Sequence, residues 1–203
     1  MLIAEKPRQR NRAKTIPSSL IYEVIDGKPL YYEGYKDVLA NKKTSEEIMG
    51  ASGLQSFIIQ YLLEVLYLKI GRKKYHFLTN EIGTHLDKNN NLSGDIYIYD
   101  KQTLSPDKIN THYVEVAPKI AIEIDIRIDL SDEKDFGYVF TKTHKLLDFG
   151  VEKVLWIFTK HQKVMVATKD QDWLTKNWNQ EIELLDGEYF NIGKFLADEG
   201  VGQ

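Results

Sequence analysis

The segment Lys119 to Ile126 reads KIAIEIDI, and its strict alternation constrains this chain more than any other stretch. A period of two is that of a β-strand, so Ile120, Ile122 and Ile124 share one face while Ala121, Glu123 and Asp125 share the other. By composition this is a central strand. Two carboxylates about 7 Å apart beside buried isoleucines cost stability unless cations or hydrogen bonds satisfy them, and a divalent cation would do so. A second alternating run, GDIYIY from Gly94 to Tyr99, opens with another acid. If the two strands pair antiparallel, the start of the first lies beside the end of the second, and Asp95 joins Glu123.

The helix expected between Asp132 and Phe149 supplies the opposite charge. At about 100° per residue, Lys142 falls in the apolar stripe of Val139, Leu146 and Phe149, so it points inward, extending its stem over apolar surface toward the acids. Gly150 closes the helix. Two acids and an inward lysine suit phosphodiester hydrolysis: Mg²⁺ or Mn²⁺ held by carboxylates polarises a phosphoryl oxygen and acidifies a bound water. The lysine would position that water or stabilise developing negative charge. Asp125 reads either as a third metal ligand or as a surface residue at the strand end.

Other segments place these residues in an α/β (α+β) fold, a mixed β-sheet flanked by helices. Leu20 to Ile25, the Asp26-Gly27 turn and Leu30 to Tyr32 form an N-terminal β-hairpin. Thr44 stands three residues before Glu47, a capping-box spacing ahead of one long helix from Ile48 to Ile70. Phe57, Ile58, Tyr61, Leu62, Val65 and Leu66 recur along it at helical spacing, and Gly71 ends it. Tyr75 to Leu86 is extended, Asp87 to Asn91 is a polar turn, Val154 to Phe158 and Val164 to Thr168 form a hairpin, and Tyr189 to Leu196 forms a short terminal helix.

With 203 residues, 42% of them hydrophobic and 28% charged, the chain suits one globular domain at 18–203 behind a basic tail at 1–17 carrying Lys6, Arg8, Arg10, Arg12 and Lys14. No apolar run approaches the roughly 18 residues needed to span a bilayer, and no signal peptide is recognisable, so a cytoplasmic protein without membrane partners is expected. The absence of cysteine excludes thiol chemistry and disulfides. A net charge of -3 argues against non-specific coating of nucleic acid. His76, His85, His112, His144 and His161 lack zinc-site spacing, and no Walker, GxGxxG or GxSxG motif supports a nucleotide cofactor or a triad hydrolase. Asp129, Asp132, Glu133 and Asp135 read as helix-capping acids, and Trp173 and Trp178 as loop or core-edge residues.

Across most of residues 20 to 160 the chain resembles the restriction-endonuclease-like family of bacterial proteins in the PD-(D/E)XK nuclease superfamily. The resemblance rests on Tyr22-Glu23-Val24-Ile25-Asp26-Gly27, Gly94-Asp95-Ile96, Ala121-Ile122-Glu123-Ile124-Asp125, and Lys142 through Leu146 to Gly150-Val151, followed by Val154-Leu155-Trp156-Ile157. It implies a restriction-endonuclease-like fold, a homodimer, and DNA cleavage with Mg²⁺ or Mn²⁺, with Asp95 and Glu123 as metal-binding acids and Lys142 as the catalytic lysine. Three positions depart from the pattern: Gly94 replaces proline, Asp125 stands where lysine is usual, and Leu146 replaces tyrosine. A further acid from the first long helix would be Glu47 or Glu64. The alternatives to a nuclease are an inactive nuclease fold used for binding or assembly, and a structural domain whose acids face solvent.

Overall fold

The hairpin at the start turns at Asp26-Gly27, where both residues hold positive φ (52° and 73°), the backbone that a two-residue hairpin of matching twist requires. It joins β1 (Ile21–Ile25) to β2 (Lys28–Tyr31). The computed structural model describes residues 16–129 and 135–202. After a short α1 (Tyr35–Leu39), the single helix expected over Ile48 to Ile70 is instead two. Glu47 caps as its spacing suggests, accepting from the Thr44 N–H at 2.7 Å, but the α2 (Glu46–Met49) that follows ends at Gly50, which is extended (ψ 141°). Ser52 then caps a new helix, α3 (Gly53–Val65), by accepting from the Gln55 N–H at 3.1 Å. The chain continues through a wider turn, Leu66–Ile70, and Gly71 ends it at φ 75°.

A long hairpin follows, β3 (Tyr75–Asp87) against β4 (Asn90–Asp100), then β5 (Ile120–Ile124), α4 (Asp135–Phe149) and β6 (Lys153–Phe158). β5 and β6 are parallel with α4 as the crossover, and β7 (Lys163–Thr168) and β8 (Leu174–Asn177) continue antiparallel. The strand order is β2-β1-β4-β5-β6-β7-β8, with β3 also paired to β4, so β5 is central and all five of its residues are buried. The fold is thus a large mixed sheet flanked by helices.

At the C-terminus the expected helix over Tyr189 to Leu196 starts later. Glu188–Phe190 is a strand, β10, paired with β9 (Ile182–Leu185), and α5 (Ile192–Asp198) begins after Asn191, whose side chain accepts from the Lys194 N–H. Trp178 is buried in the core, whereas Trp173 stacks on Phe140 at 5.0 Å. No helix among the described residues is long and apolar enough to cross a membrane.

The sheet has a core on each side. Ile120, Ile122 and Ile124 pack with Ile96, Ile98, Ile58 of α3 and Ile192 of α5, while Ala121 packs on the other side with Tyr97, Trp156 and Leu146 of α4. The alternation of β5 therefore divides its residues between two buried faces. α4 covers the side that carries Glu123, so an acid there cannot rely on bulk water.

β4 contains a fork. β3 holds one of its edges from Asn90 to Asp100, so the other edge must serve both β1, through Val24 opposite Asn91, and β5, through Ile96 opposite Ile122. Between those pairings, Leu92 to Asp95 has no strand on that edge. Backbone groups left open there need other partners. The candidate site residues gather at this fork.

Candidate active site

Lys142 rises from α4 into the fork and is 1% exposed. Its ammonium donates to Glu23 Oε1 at 2.7 Å, Glu123 Oε2 at 2.9 Å and the Ser93 carbonyl at 2.6 Å, so all three of its protons are used. Glu23 Oε1 in turn accepts from the Ser93 N–H at 2.9 Å. Side chains thus take both Ser93 backbone groups that a strand would otherwise satisfy. The rings of Trp156, Tyr138 and Tyr22 lie 5.5, 5.8 and 5.9 Å from the ammonium. Two tyrosines fix the remaining oxygens: Tyr138 donates to Glu23 Oε2 at 2.8 Å and Tyr97 to Glu123 Oε1 at 3.1 Å.

Asp95 stands opposite Glu123 in the extension of the β4–β5 register. Its Oδ2 accepts from the Ile124 N–H at 2.7 Å, and its Oδ1 accepts from Gln55 Nε2 at 3.0 Å. The same Gln55 nitrogen donates to the Ile124 carbonyl at 3.3 Å, so it sits where two oxygens converge. Arg127 lies toward the exposed connection that precedes α3, donating to Glu81 Oε1 at 2.9 Å and to the Met49 and Gly50 carbonyls. Glu81 is held there by a β3 bulge in which Asn80 and Glu81 both take positive φ.

The cluster sets three carboxyl groups against one ammonium in a nearly dry site, so full ionisation of the three would leave two negative charges unpaired. Burial raises Asp95 to about 6, against the lowering pull of the Ile124 N–H, Lys142, Arg127 and Gln55. Burial raises Glu123 further, to about 8, with Lys142 opposing and Asp95 and Glu23 adding to the rise. For Lys142, burial acts downward but Glu123 and Glu23 more than offset it, and the net shift is upward. Lys142 therefore stays charged, while the carboxylates retain an unmet demand for positive charge.

The sequence-derived trio of Asp95, Glu123 and Lys142 is brought together here. Asp125 is not part of the group: it turns into the left-handed region at φ 60°, and its carboxylate accepts from the Thr159 N–H at 2.8 Å and the Thr159 hydroxyl at 2.7 Å. Glu47 and Glu64 are both exposed, so the first-helix residue that reaches the site is Gln55, a donor rather than an acid. Of the supposed capping acids, Asp129 lies 3.7 Å from Lys36, Asp132 and Glu133 fall outside the described residues, and the side chain of Asp135 does too.

The sequence alone places Glu23 in a structural hairpin and gives it no part in the site. A bulge between Ile21 and Glu23 hides its direction, since Tyr22 and Glu23 are both buried. The available signal is an acid inside an apolar strand, the same signal that exposes Glu123.

Gly94 adds a local requirement. A β-carbon there would lie 2.1 to 2.5 Å from the Tyr97 ring, so only glycine lets that ring close over the strand and reach Glu123. Gly94→Ala is expected to lower unfolding free energy by about 1–3 kcal/mol, as overpacked cores do, measured as a lower urea midpoint at unchanged m-value.

Among solved structures the chain is similar to a crystal structure described as "a putative nuclease belonging to DUF820" from Anabaena variabilis ATCC 29413. The TM-score is 0.62 at 14% identity, over 86% of this chain and 89% of that one. The likeness shows a shared fold. No protein-family model and no curated protein matches the chain.

Proposed function

We propose that this protein is a Mg²⁺- or Mn²⁺-dependent endonuclease of the PD-(D/E)XK kind, hydrolysing DNA phosphodiester bonds at Asp95, Glu123 and Lys142. The observation that carries the reading is the juxtaposition at the fork of two buried acids from neighbouring strands with a buried lysine, more carboxyl groups than cations. Among the described residues no three Asp, Glu or His side chains converge as a metal cage. The donor set nevertheless fits Mg²⁺ or Mn²⁺, which such sites bind through one or two carboxylates and leave otherwise to water and substrate phosphate. Asp95 and Glu123 would hold the ion, which when bound supplies a polarised phosphoryl oxygen and an acidified water.

The chain's own residues do the remaining work. Tyr97 and the Ile124 N–H fix the two carboxylates, and Lys142 is anchored by Glu23 with its charge directed at Glu123, placed to stabilise negative charge that develops beside that acid. Gln55 must swing aside, because its amide nitrogen occupies the convergence of Asp95 Oδ1 and the Ile124 carbonyl.

Calorimetric titration of metal-free protein with Mn²⁺, paired with cleavage of labelled duplex in Mn²⁺ or EDTA, tests this reading. Wild type is expected to bind and cut, Asp95→Asn to lose both, and Gln55→Glu, which adds an acidic oxygen, to bind Mn²⁺ about tenfold more tightly. A folded wild type that neither binds nor cuts contradicts it.

A second reading, an inactive nuclease fold serving as a binding module, has an observation of its own. Every oxygen of Glu23, Asp95 and Glu123 already accepts a hydrogen bond from the protein. In that reading the cluster only closes the fork, and Mn²⁺ does not bind.

A further inference from the structure

A cavity of about 490 Å³ lies at the other end of α3, lined by Arg72, Lys73 and Lys101 together with His76, Phe77 and Leu78. Tyr75 through Leu78 all contribute to its wall although alternate residues of a strand face opposite ways, so the cavity runs along an edge of β3 rather than over a face. β4 holds the other edge. The Lys101 N–H donates to the Lys74 carbonyl at 2.9 Å, which fixes the loop after β4 against the start of β3 and brings the cations together. Among the described residues, Arg72, Lys73 and Lys101 make no ion pair. The nearby acids are engaged elsewhere: Asp100 lies 3.6 Å from Lys119, and Asp186 accepts from the Tyr75 hydroxyl at 3.1 Å. In a chain of net charge -3, this is a local inversion of sign.

We propose that this pocket binds a backbone phosphate of nucleic acid, as a second contact remote from the cleavage site. The inference rests on the nuclease reading for its choice of ligand. Three such cations around a concave edge match the phosphodiester backbone, which supplies closely spaced negative charge without base identity. α3 links the two places: Gln55 in its first turn touches Asp95, and the turn that continues it ends at Gly71, beside Arg72. Along β4, Ser93 and Asp100 are separated by roughly 23 Å, about the rise of seven base pairs, so one duplex can span both. The competing role for these cations is to keep an open strand edge from pairing with another chain.

The test is fluorescence anisotropy of labelled duplex and single-stranded oligonucleotides in EDTA, where metal-dependent cutting cannot occur, across a salt series. Arg72→Ala/Lys73→Ala/Lys101→Ala is compared with Lys42→Ala/Lys88→Ala/Lys160→Ala, which removes the same charge at exposed sites elsewhere, both checked for folding by circular dichroism. The pocket variant is expected to bind about tenfold or more weakly, with the salt slope reduced by about 1 for each phosphate no longer neutralised, while the control stays within about threefold of wild type. Equal losses in both variants, or none in either, overturn the pocket and leave the cations as edge guards. Wild type that binds no oligonucleotide overturns pocket and DNA substrate together. If wild type binds through the pocket yet never cuts in Mn²⁺, the pocket stands and the nuclease reading alone falls.

Discussion

Lys142→Ala is expected to lower the free energy of unfolding by about 3–5 kcal/mol, because it leaves the buried Glu23 carboxylate without its cation and takes the donor from Glu123 and from the Ser93 carbonyl. For a chain of this size that corresponds to a fall in Tm on the order of 10 °C. The loss is electrostatic more than volumetric, so removing the charges together separates the two causes. The variant Glu23→Gln/Glu123→Gln/Lys142→Met keeps similar side-chain volumes without net charge and is expected to recover most of the stability. Thermal melts of both in EDTA check this. A fall of under about 1 kcal/mol for Lys142→Ala would mean that the ion cluster does not hold the fork.

Glu123→Gln is expected to have the opposite profile: a stable protein without activity. Glu123 is raised from the ordinary carboxylate range to about 8 and Asp95 to about 6, so the folded chain holds protons that the unfolded chain gives up near pH 4. Groups raised in this way contribute stability that is fully present below the unfolded pKa and is lost as pH rises through the folded one. Metal-free wild type should therefore lose stability between about pH 4 and 6 through Asp95, and up to about pH 8 through Glu123. The Glu123→Gln variant carries no charge there, so its melting temperature should vary less above about pH 6 and should exceed that of wild type at about pH 8.5. Saturating Mg²⁺ should raise the wild-type melting temperature at about pH 8 and leave the variant nearly unmoved. Wild-type stability that is flat from about pH 5 to 8.5 would contradict the buried, charge-deficient site.

Periodicity made part of this site legible. Asp95, Glu123 and Lys142 each lie on a regular strand or helix, where a residue's direction follows from its spacing, and the antiparallel β4–β5 pairing follows from the order of the two runs. Irregular backbone concealed the rest. The bulge in β1 turns Glu23 inward beside Tyr22, and the left-handed turn at Asp125 removes it from the alternation that would place it next to Glu123. Gly50 breaks a helical pattern that side-chain spacing alone carries straight through, which is how Gln55 comes to lie near the start of a helix rather than inside one. β8 reads LTKN, too short and polar for a period-two signal, and it forms because β7 offers it a paired edge. Glutamine carries no charge to draw attention, so Gln55 becomes apparent only from its two hydrogen bonds.

Incubation of supercoiled plasmid with wild type and with Glu123→Gln, in Mn²⁺, Mg²⁺ and EDTA, tests the central claim most directly. Nicked or linear product is expected from wild type with either metal and not in EDTA, and none from a variant whose melting temperature shows that it is folded. Intact plasmid after incubation with folded, metal-saturated wild type, or equal cutting by Glu123→Gln, would contradict the assignment of catalysis to the fork.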